Sequence, residues 1–237
     1  MDDRVYFRQL LSGRDFAQQD NLARQMVNFV YLIGDRATGE AVVVDPAYRV
    51  DDVLAVAHAD GMRIVGALAT HHHPDHVGGS MMGYRIEGLQ TLLERSDVPV
   101  HAHRDEAEWV RRTAGLEGVS IVPHDSGDVV RAGQIDIELL HTPGHTPGSQ
   151  CFLVDKLLVS GDTLFLEGCG RTDLPGADAG KMFESLNRLA QLSDDVVLFP
   201  GHRYSLASAA TLGSVKESNY VFKPKTKDQW LTMFGVG

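Results

Sequence analysis

Residues 70–76, with the sequence THHHPDH, bring four potential metal ligands within six positions. Neutral imidazoles suit zinc or iron, and the aspartate adds an oxygen ligand. In extended backbone His71 and His73 point to one side and His72 to the other, and the turn at the proline re-aims the residues that follow it. The alternative is a surface loop that is merely rich in histidine. The candidate ligands of this stretch are His71, His73, Asp75 and His76.

Three later apolar segments each end in a metal-capable residue that directly follows a glycine. Glycine permits a backbone bend at the end of a strand and lets the chain approach a metal closely. Each of these motifs is weak alone, because a Gly-His pair is usually only a turn. Together with the histidine stretch, they indicate one metal site built from four separate loops. The candidate ligands are His145, Asp162 and His202.

The histidine stretch follows an apolar segment, residues 64–69, that is typical of a buried strand. Ligands at the carboxyl end of a strand lie at the edge of a sheet, where sites of α/β proteins form. Further strands are predicted at 5–11, 27–33, 41–44, 98–102 and 196–199, antiparallel strands within 121–140 and a hairpin over 151–159. Helices are predicted at 51–60, 79–95, 104–112, 180–192 and 230–234, with a loop at 15–25. This order predicts one α/β domain over residues 1–237, with two sheets between layers of helices.

Composition narrows the classes of partner. The formal net charge of the 237 residues is −10 and no run of Lys or Arg occurs, which argues against nucleic acid or an anionic membrane as a partner. The only cysteines are Cys151 and Cys169, a count that suits a reducing compartment. The N-terminal residues are acidic and no apolar stretch reaches the length of a membrane span. We therefore expect a cytoplasmic protein.

With these motifs the sequence resembles the metallo-β-lactamase-fold hydrolases, most closely their glyoxalase II and persulfide dioxygenase branch. The resemblance runs from about Val27 to about Phe222. It rests on the seven candidate ligands, on Asp45 and on the Gly-Cys-Gly-Arg loop at 168–171. It implies a four-layer αββα sandwich of two mixed sheets, with metal ions at one edge of the sheets.

The resemblance also implies how the ligands are divided. Two divalent ions are expected, with zinc as the leading assignment and a single Fe²⁺ as the alternative. Asp45 would orient a ligand or close a turn, and Asp75 and Asp162 are the carboxylates expected at the reacting centre. The implied ligands are His71, His73 and His145 for the first ion, Asp75, His76 and His202 for the second, and Asp162 between them.

The leading functional hypothesis is hydrolysis of a hydroxyacyl thioester by a metal-bound hydroxide, because a thiolate with an ordinary pKa of about 8.5 leaves without much help from an acid. The rival is a mononuclear-iron persulfide dioxygenase acting on a small thiol persulfide, since two histidines and one carboxylate suit oxygen activation by ferrous iron. A non-catalytic metal-binding protein is a third class. The expected partner is a small thiol-derived substrate, and a homodimer is possible.

The chain departs from the glyoxalase II pattern where that family binds glutathione. The loop positions that carry Lys and Tyr in that family are Arg171 and Asp173 here, and about 35 residues follow His202. Arg171 is predicted either to bind an anionic substrate group or to form a structural salt bridge. Tyr204, just after His202 in the sequence, is predicted to line the pocket and contact substrate.

Overall fold

The computed structural model describes residues 3–235 and contains two six-stranded sheets and one two-stranded hairpin. In chain order the strands are β1 (Val5–Leu11), β2 (Phe29–Asp35), β3 (Glu40–Val44), β4 (Arg63–Leu68), β5 (Gly79–Met81), β6 (Tyr84–Ile86), β7 (Val100–His103), β8 (Ile121–His124), β9 (Val129–Ala132), β10 (Ile135–His141), β11 (Gln150–Val154), β12 (Leu157–Gly161), β13 (Val197–Pro200) and β14 (Ala210–Thr211). The helices are α1 (Asn21–Met26), α2 (Val50–Ala59), α3 (Pro74–Val77), α4 (Leu89–Arg95), α5 (Arg104–Thr113), α6 (Ala179–Leu189), α7 (Leu212–Ser218) and α8 (Lys227–Phe234), with a 3-10 helix at Tyr220–Phe222.

Both large sheets are mixed. The first has the order β1-β2-β3-β4-β7-β8 and the second the order β14-β13-β12-β11-β10-β9. Parallel pairs join β3 to β4, β4 to β7, β7 to β8 and β12 to β13, and the other neighbours are antiparallel. The four parallel pairs require crossover connections, which contain α2, α4, α5 and α6 on the outer faces. The central strands are therefore buried on both sides, and this explains their continuous apolar runs.

Three apolar layers lie between the sheets and helices. On β3, Ala41 and Val43 pack between the first sheet and its helices, whereas Val42 and Val44 pack between the two sheets. Successive side chains of a strand point to opposite faces, so one strand supplies both layers. Phe152 of β11 lies between the sheets, and its neighbours in the same strand pack toward α6, α7 and α8. The predicted αββα sandwich is confirmed.

One predicted helix is wrong. The segment 79–95 contains the β5–β6 hairpin before the shorter helix α4. Met82 and Gly83, with φ angles of 51° and 81°, form the hairpin turn. A two-residue turn with both residues in the left-handed region matches the twist of the flanking strands. The helical spacing of apolar residues is real from Leu89 onward, but the glycines before it start a different structure.

Other differences are smaller. The predicted loop at 15–25 ends in α1, whose start is fixed by the Asp20 carboxylate accepting hydrogen bonds from the backbone of Leu22 and Ala23. Strand β8 pairs in parallel with β7, although antiparallel strands were predicted there; β9 and β10 are antiparallel. Helix α7 was not predicted. No helix within residues 3–235 has the length and apolar character needed to cross a membrane.

Removing the aromatic ring of Phe152 from the layer between the sheets should destabilise the protein strongly. Phe152→Ala should lower the free energy of unfolding by about 3–5 kcal/mol, because the ring is fully buried and a cavity would remain. Val129→Ala on β9, where the side chain is 44% exposed, should change it by no more than about 0.5 kcal/mol. Urea unfolding followed by tryptophan fluorescence measures both. A loss under about 1 kcal/mol for F152A would contradict this packing.

Candidate metal centre

Four loops at the carboxyl ends of strands carry the candidate ligands. The histidine stretch follows β4 and continues into α3, His145 follows β10, Asp162 follows β12 and His202 follows β13. The glycines before the later ligands have the predicted role of allowing close approach. At Gly201, for example, a Cβ atom would lie 2.3 Å from Oδ1 of Asp162. The structure brings all seven predicted side chains to one edge of the sandwich.

The first trio consists of His71, His73 and His145. Nδ1 of His73 lies 3.1 Å from Nε2 of His71 and 3.0 Å from Nε2 of His145. These three nitrogen atoms form one of the groups whose geometry could hold a metal ion. His72 points away, as predicted, and its Nδ1 contacts the buried carboxylate of Glu106 at 2.5 Å.

The second trio consists of Asp75, His76 and His202. The Nε2 atoms of the two histidines are 3.1 Å apart. Oδ2 of Asp75 lies 3.6 Å from Nε2 of His76 and 3.4 Å from Nε2 of His202. This trio is also a group that could hold an ion. Because His76 and His202 are separated by 126 residues, only the packing of the two sheets brings them together.

Asp162 lies between the trios. Its Oδ2 is 3.8 Å from Nε2 of His145 in the first trio and 3.3 Å from Nε2 of His202 in the second. Its Oδ1 is 3.4 Å from Nε2 of His76, is buried, and accepts no hydrogen bond from the described residues. A buried carboxylate oxygen without a donor is costly unless a cation is its partner. The position fits a bridging ligand.

Hydrogen bonds behind the ligands decide which imidazole nitrogens face the site. His76 donates from Nδ1 to Asp45, at 2.9 Å, and His202 donates from Nδ1 to the carbonyl of Met26, at 2.8 Å. His145 likewise donates from Nδ1 to a backbone carbonyl, that of Arg171, at 2.9 Å. When the ring is neutral and Nδ1 carries the proton, Nε2 directs its lone pair into the site.

Asp45 also acts on His71, through Thr70. The Asp45 carboxylate accepts from the backbone N–H of Thr70 at 2.7 Å and from its hydroxyl at 2.6 Å. The Thr70 oxygen, 3.0 Å from Nδ1 of His71, can then accept a hydrogen bond from that ring. Asp45 therefore orients His71 and His76 together, which is the ligand-orienting role predicted for it.

The distances suit metal ions. Two ligands of one tetrahedral zinc, each bonded at about 2.0–2.1 Å, lie about 3.3 Å apart. Neighbouring ligand atoms within each trio are 3.0–3.6 Å apart, and each can offer a lone pair to an ion once it is deprotonated. A set of imidazole nitrogens and carboxylate oxygens of this kind is the ligand set of zinc and iron proteins. The residues thus fit a pair of divalent ions.

The protonation states differ between the trios. Burial, together with the neighbouring histidines, lowers the pKa of His71 well below its usual value and that of His73 to about 4. Burial also acts to lower the pKa of His76 and His202, but the carboxylates of Asp162 and Asp75 outweigh it and raise both. Without metal, the surroundings therefore favour the neutral form of His71 and His73 and the protonated form of His76 and His202.

The site opens into a cavity of about 660 Å³. Tyr204 lines it and stacks on His202 with ring centroids 4.8 Å apart, as the pocket-lining prediction requires. Arg171 also lines it, but its guanidinium is exposed and forms two hydrogen bonds with Asp173, at 2.7 and 2.8 Å. The arginine thus both lines the cavity and forms a salt bridge. Apolar side chains on the cavity wall are Met26, Met81, Phe165, Leu174 and Tyr220.

Sequence reasoning missed two residues beside the ligands. Glu106, on α5, is fully buried and accepts from the backbone N–H of His72 and of Gly148, so it joins the histidine stretch to the His145 loop. Asn28 is also buried and contacts the second trio. Helical spacing could have placed Glu106 on the inner face of α5. No signal in the sequence marked Asn28.

A family model described as "Metallo-beta-lactamase superfamily" matches residues 24–202. The chain belongs to the metallo-beta-lactamase superfamily. It is 36% identical over 180 residues to a hydroxyacylglutathione hydrolase of Rhodospirillum rubrum, covering 75% of this chain and 63% of that protein. It is 30% identical over 229 residues to the mitochondrial persulfide dioxygenase ETHE1 of Homo sapiens, covering 90% of this chain and 80% of that protein. The crystal structure of ETHE1 from Myxococcus xanthus matches with a TM-score of 0.78 and 28% identity, covering 97% of this chain and 89% of that chain.

These similarities confirm the resemblance and the fold stated from the sequence. The superfamily consists of metal-dependent enzymes, and the histidine and aspartate groups of this chain are those expected in a metal-binding member. Relatives named as hydrolases and a relative named as a dioxygenase lie at comparable identity. Family membership therefore establishes that this protein belongs to a family of metal-dependent enzymes that includes hydrolases and a dioxygenase.

The two trios should respond differently to pH. A metal must displace the protons of His76 and His202, so binding at the second trio should weaken as pH falls from 8 to 6, by up to about tenfold per unit for each proton. Binding at the first trio should change much less, because His71 and His73 are already neutral. Zinc titration of metal-free protein against a competing chelator at pH 6, 7 and 8 measures both steps. Two steps with the same pH dependence would contradict this assignment.

Proposed function

We propose that this protein hydrolyses thioesters of small thiols with two divalent metal ions, zinc being the leading candidate. The observation that carries the proposal is the completeness of the second trio, whose lone pairs are fixed in place by Asp45 and the Met26 carbonyl. Three ligands held ready for a second ion suit a two-metal hydrolase, in which the paired ions share the attacking oxygen. The named hydrolase relative, at 36% identity, supports the same reaction class.

The protein residues have separate roles in this proposal. When bound, divalent metal lowers the pKa of coordinated water toward about 7 and polarises a substrate carbonyl. Asp162 would hold the two ions at one distance, and Asp75 would add negative charge to the second ion. The stacked ring of Tyr204 would cover the His202 side of the cavity. The apolar wall at Met26, Met81 and Leu174 suits an acyl group of modest size.

The second candidate is a mononuclear-iron dioxygenase for a thiol persulfide. His71, His145 and Asp162 supply two imidazoles and one carboxylate beside the cavity, the ligand pattern of oxygen-activating iron. The similarity to persulfide dioxygenase ETHE1, which extends over 90% of this chain, favours the same possibility. The two candidates differ in metal count and in the consumption of oxygen.

Metal content and substrate tests separate the candidates. Protein purified without added metal should contain two zinc ions per chain and release free thiol from an acyl thioester without oxygen uptake. Asp162→Ala should reduce hydrolysis by more than the 10- to 100-fold typical for loss of a residue that only orients a ligand, because a bridging ligand is removed. One iron per chain with oxygen uptake on a persulfide, and no thioesterase activity, would overturn the proposal in favour of the dioxygenase.

The Arg171–Asp173 pair predicts a preference for uncharged thiol carriers. Because Asp173 occupies the guanidinium of Arg171, an anionic carrier gains little from that charge. Asp173→Asn should raise kcat/KM for a glutathione thioester by at most about fivefold, the range of an exposed ion pair, and leave an N-acetylcysteamine thioester unchanged.

The double variant Asp173→Asn with Arg171→Gln is the matched control. It should lose the gain on the glutathione thioester, because the freed positive charge is then absent. Equal changes for both thioesters in the single variant would show that Asp173 acts on the loop as a whole and not through Arg171.

A further inference from the structure

Asn28 is a buried side chain whose position follows from the pairing of two distant segments. It is 1% exposed and precedes β2 directly. Its backbone forms an antiparallel bridge with His202, flanked by hydrogen bonds from Phe29 N to Gly201 O and from Arg203 N to Val27 O. Residues directly opposite in an antiparallel pair project their side chains to the same face. The chain therefore places the Asn28 amide beside the His202 ring.

The amide contacts every member of the second trio. Its Nδ2 donates to Oδ2 of Asp75 at 3.2 Å and lies 3.4 Å from Nε2 of His76 and 3.5 Å from Nε2 of His202. Among the described residues it forms no hydrogen bond with the first trio or with Asp162. The acceptor of its N–H among the seven ligands is therefore the Asp75 carboxylate, which belongs to the second trio.

Tyr48 fixes the orientation of this amide. Its hydroxyl donates to Oδ1 of Asn28 at 3.1 Å, so the amide oxygen faces the tyrosine and the NH₂ group faces the trio. The reverse orientation would bring the amide oxygen against the Asp75 carboxylate. Tyr48 is 1% exposed and has a φ of 69°, a conformation that a bulky residue keeps only where its surroundings hold it. Its backbone N–H is held by the carbonyl of Glu87 at 2.8 Å.

We propose that Asn28 is the positioning residue of the second trio: its amide holds the Asp75 carboxylate in place and so determines whether this chain retains a second metal ion. The inference rests on the two-metal site proposed above. Without the donor, Asp75 loses its hydrogen bond from Asn28 and can rotate away from His76 and His202. The first trio has no contact with the amide, so its affinity should be unaffected.

Asn28→Leu removes the amide at nearly constant size and should weaken binding of the second ion by about 10- to 100-fold, the range found when a partner of a ligand is lost. Tyr48→Phe removes only the hydroxyl that orients the amide and should produce a smaller loss at the same site. Affinity for the first ion should stay at the wild-type value in both variants. Zinc titration against competing chelators and metal-to-protein ratios after dialysis measure these effects without an activity assay.

Asn219→Leu is the matched control. Asn219 is also buried and forms several hydrogen bonds, to Phe165, Gly168 and Val221, but none to either trio. The Asn219→Leu variant should bind both ions as the wild type does, even if its melting temperature falls. If Asn28→Leu does not fold, Tyr48→Phe decides the question.

The role proposed for Asn28 is wrong if the Asn28→Leu variant keeps wild-type affinity for the second ion. It is also wrong if that variant loses both ions equally. With Tyr48→Phe as the deciding variant, unchanged binding of the second ion would have the same meaning. Failure of the proposed function looks different: the wild type would bind two ions and show the Asn28 effect, yet release no thiol from thioesters. A wild-type chain that binds a single ion at saturation would overturn both proposals.

Discussion

Seven side chains that offer lone pairs or negative charge converge on one largely buried volume, and their mutual repulsion is what the surrounding structure must offset. Five of them are imidazoles and two are carboxylates, with donor atoms mostly 3.0–3.8 Å apart. Bringing acceptors so close is unfavourable unless protons or cations lie between them. A centre of this kind is stable as a unit with its ions, and it requires a rigid frame.

The frame is the edge of two packed sheets. The ligand loops leave the ends of β4, β10, β12 and β13, and these strands are anchored in the apolar layers of the sandwich. Buried carboxylates then connect the loops: Asp45 binds Thr70 and His76, while Glu106 joins the histidine stretch to the loop of His145. Each of these carboxylates is itself satisfied by several donors, which is what makes a buried charge tolerable. The arrangement of the ligand loops therefore depends on polar side chains that do not line the cavity.

The two halves of the centre are not equivalent. The first trio contains only imidazoles, with Nδ1 of His73 close to Nε2 of both other rings. The second trio includes a carboxylate, and Asn28 and Tyr48 lie behind it. The carboxylates also give the second half the raised imidazole pKa values. A second half with its own supporting residues suits the proposed two-metal reaction, in which paired ions share the attacking oxygen.

Residue types and local spacing determined much about this protein. The THHHPDH stretch after an apolar strand, and the Gly-His and Gly-Asp pairs after three others, predicted the seven ligands, because residues at the carboxyl ends of strands lie at the edge of a sheet. Alternation and apolar runs predicted most strands, whereas 79–95 failed because the turn at Met82-Gly83 overrides helical spacing. Only the tertiary structure decided the contacts of Asn28 with Asp75 and of Glu106 with Gly148. Helical spacing can place Glu106 on the inner face of α5 but cannot name its partners, and no local pattern marks Asn28. The packing of the two sheets selects the neighbours of both residues.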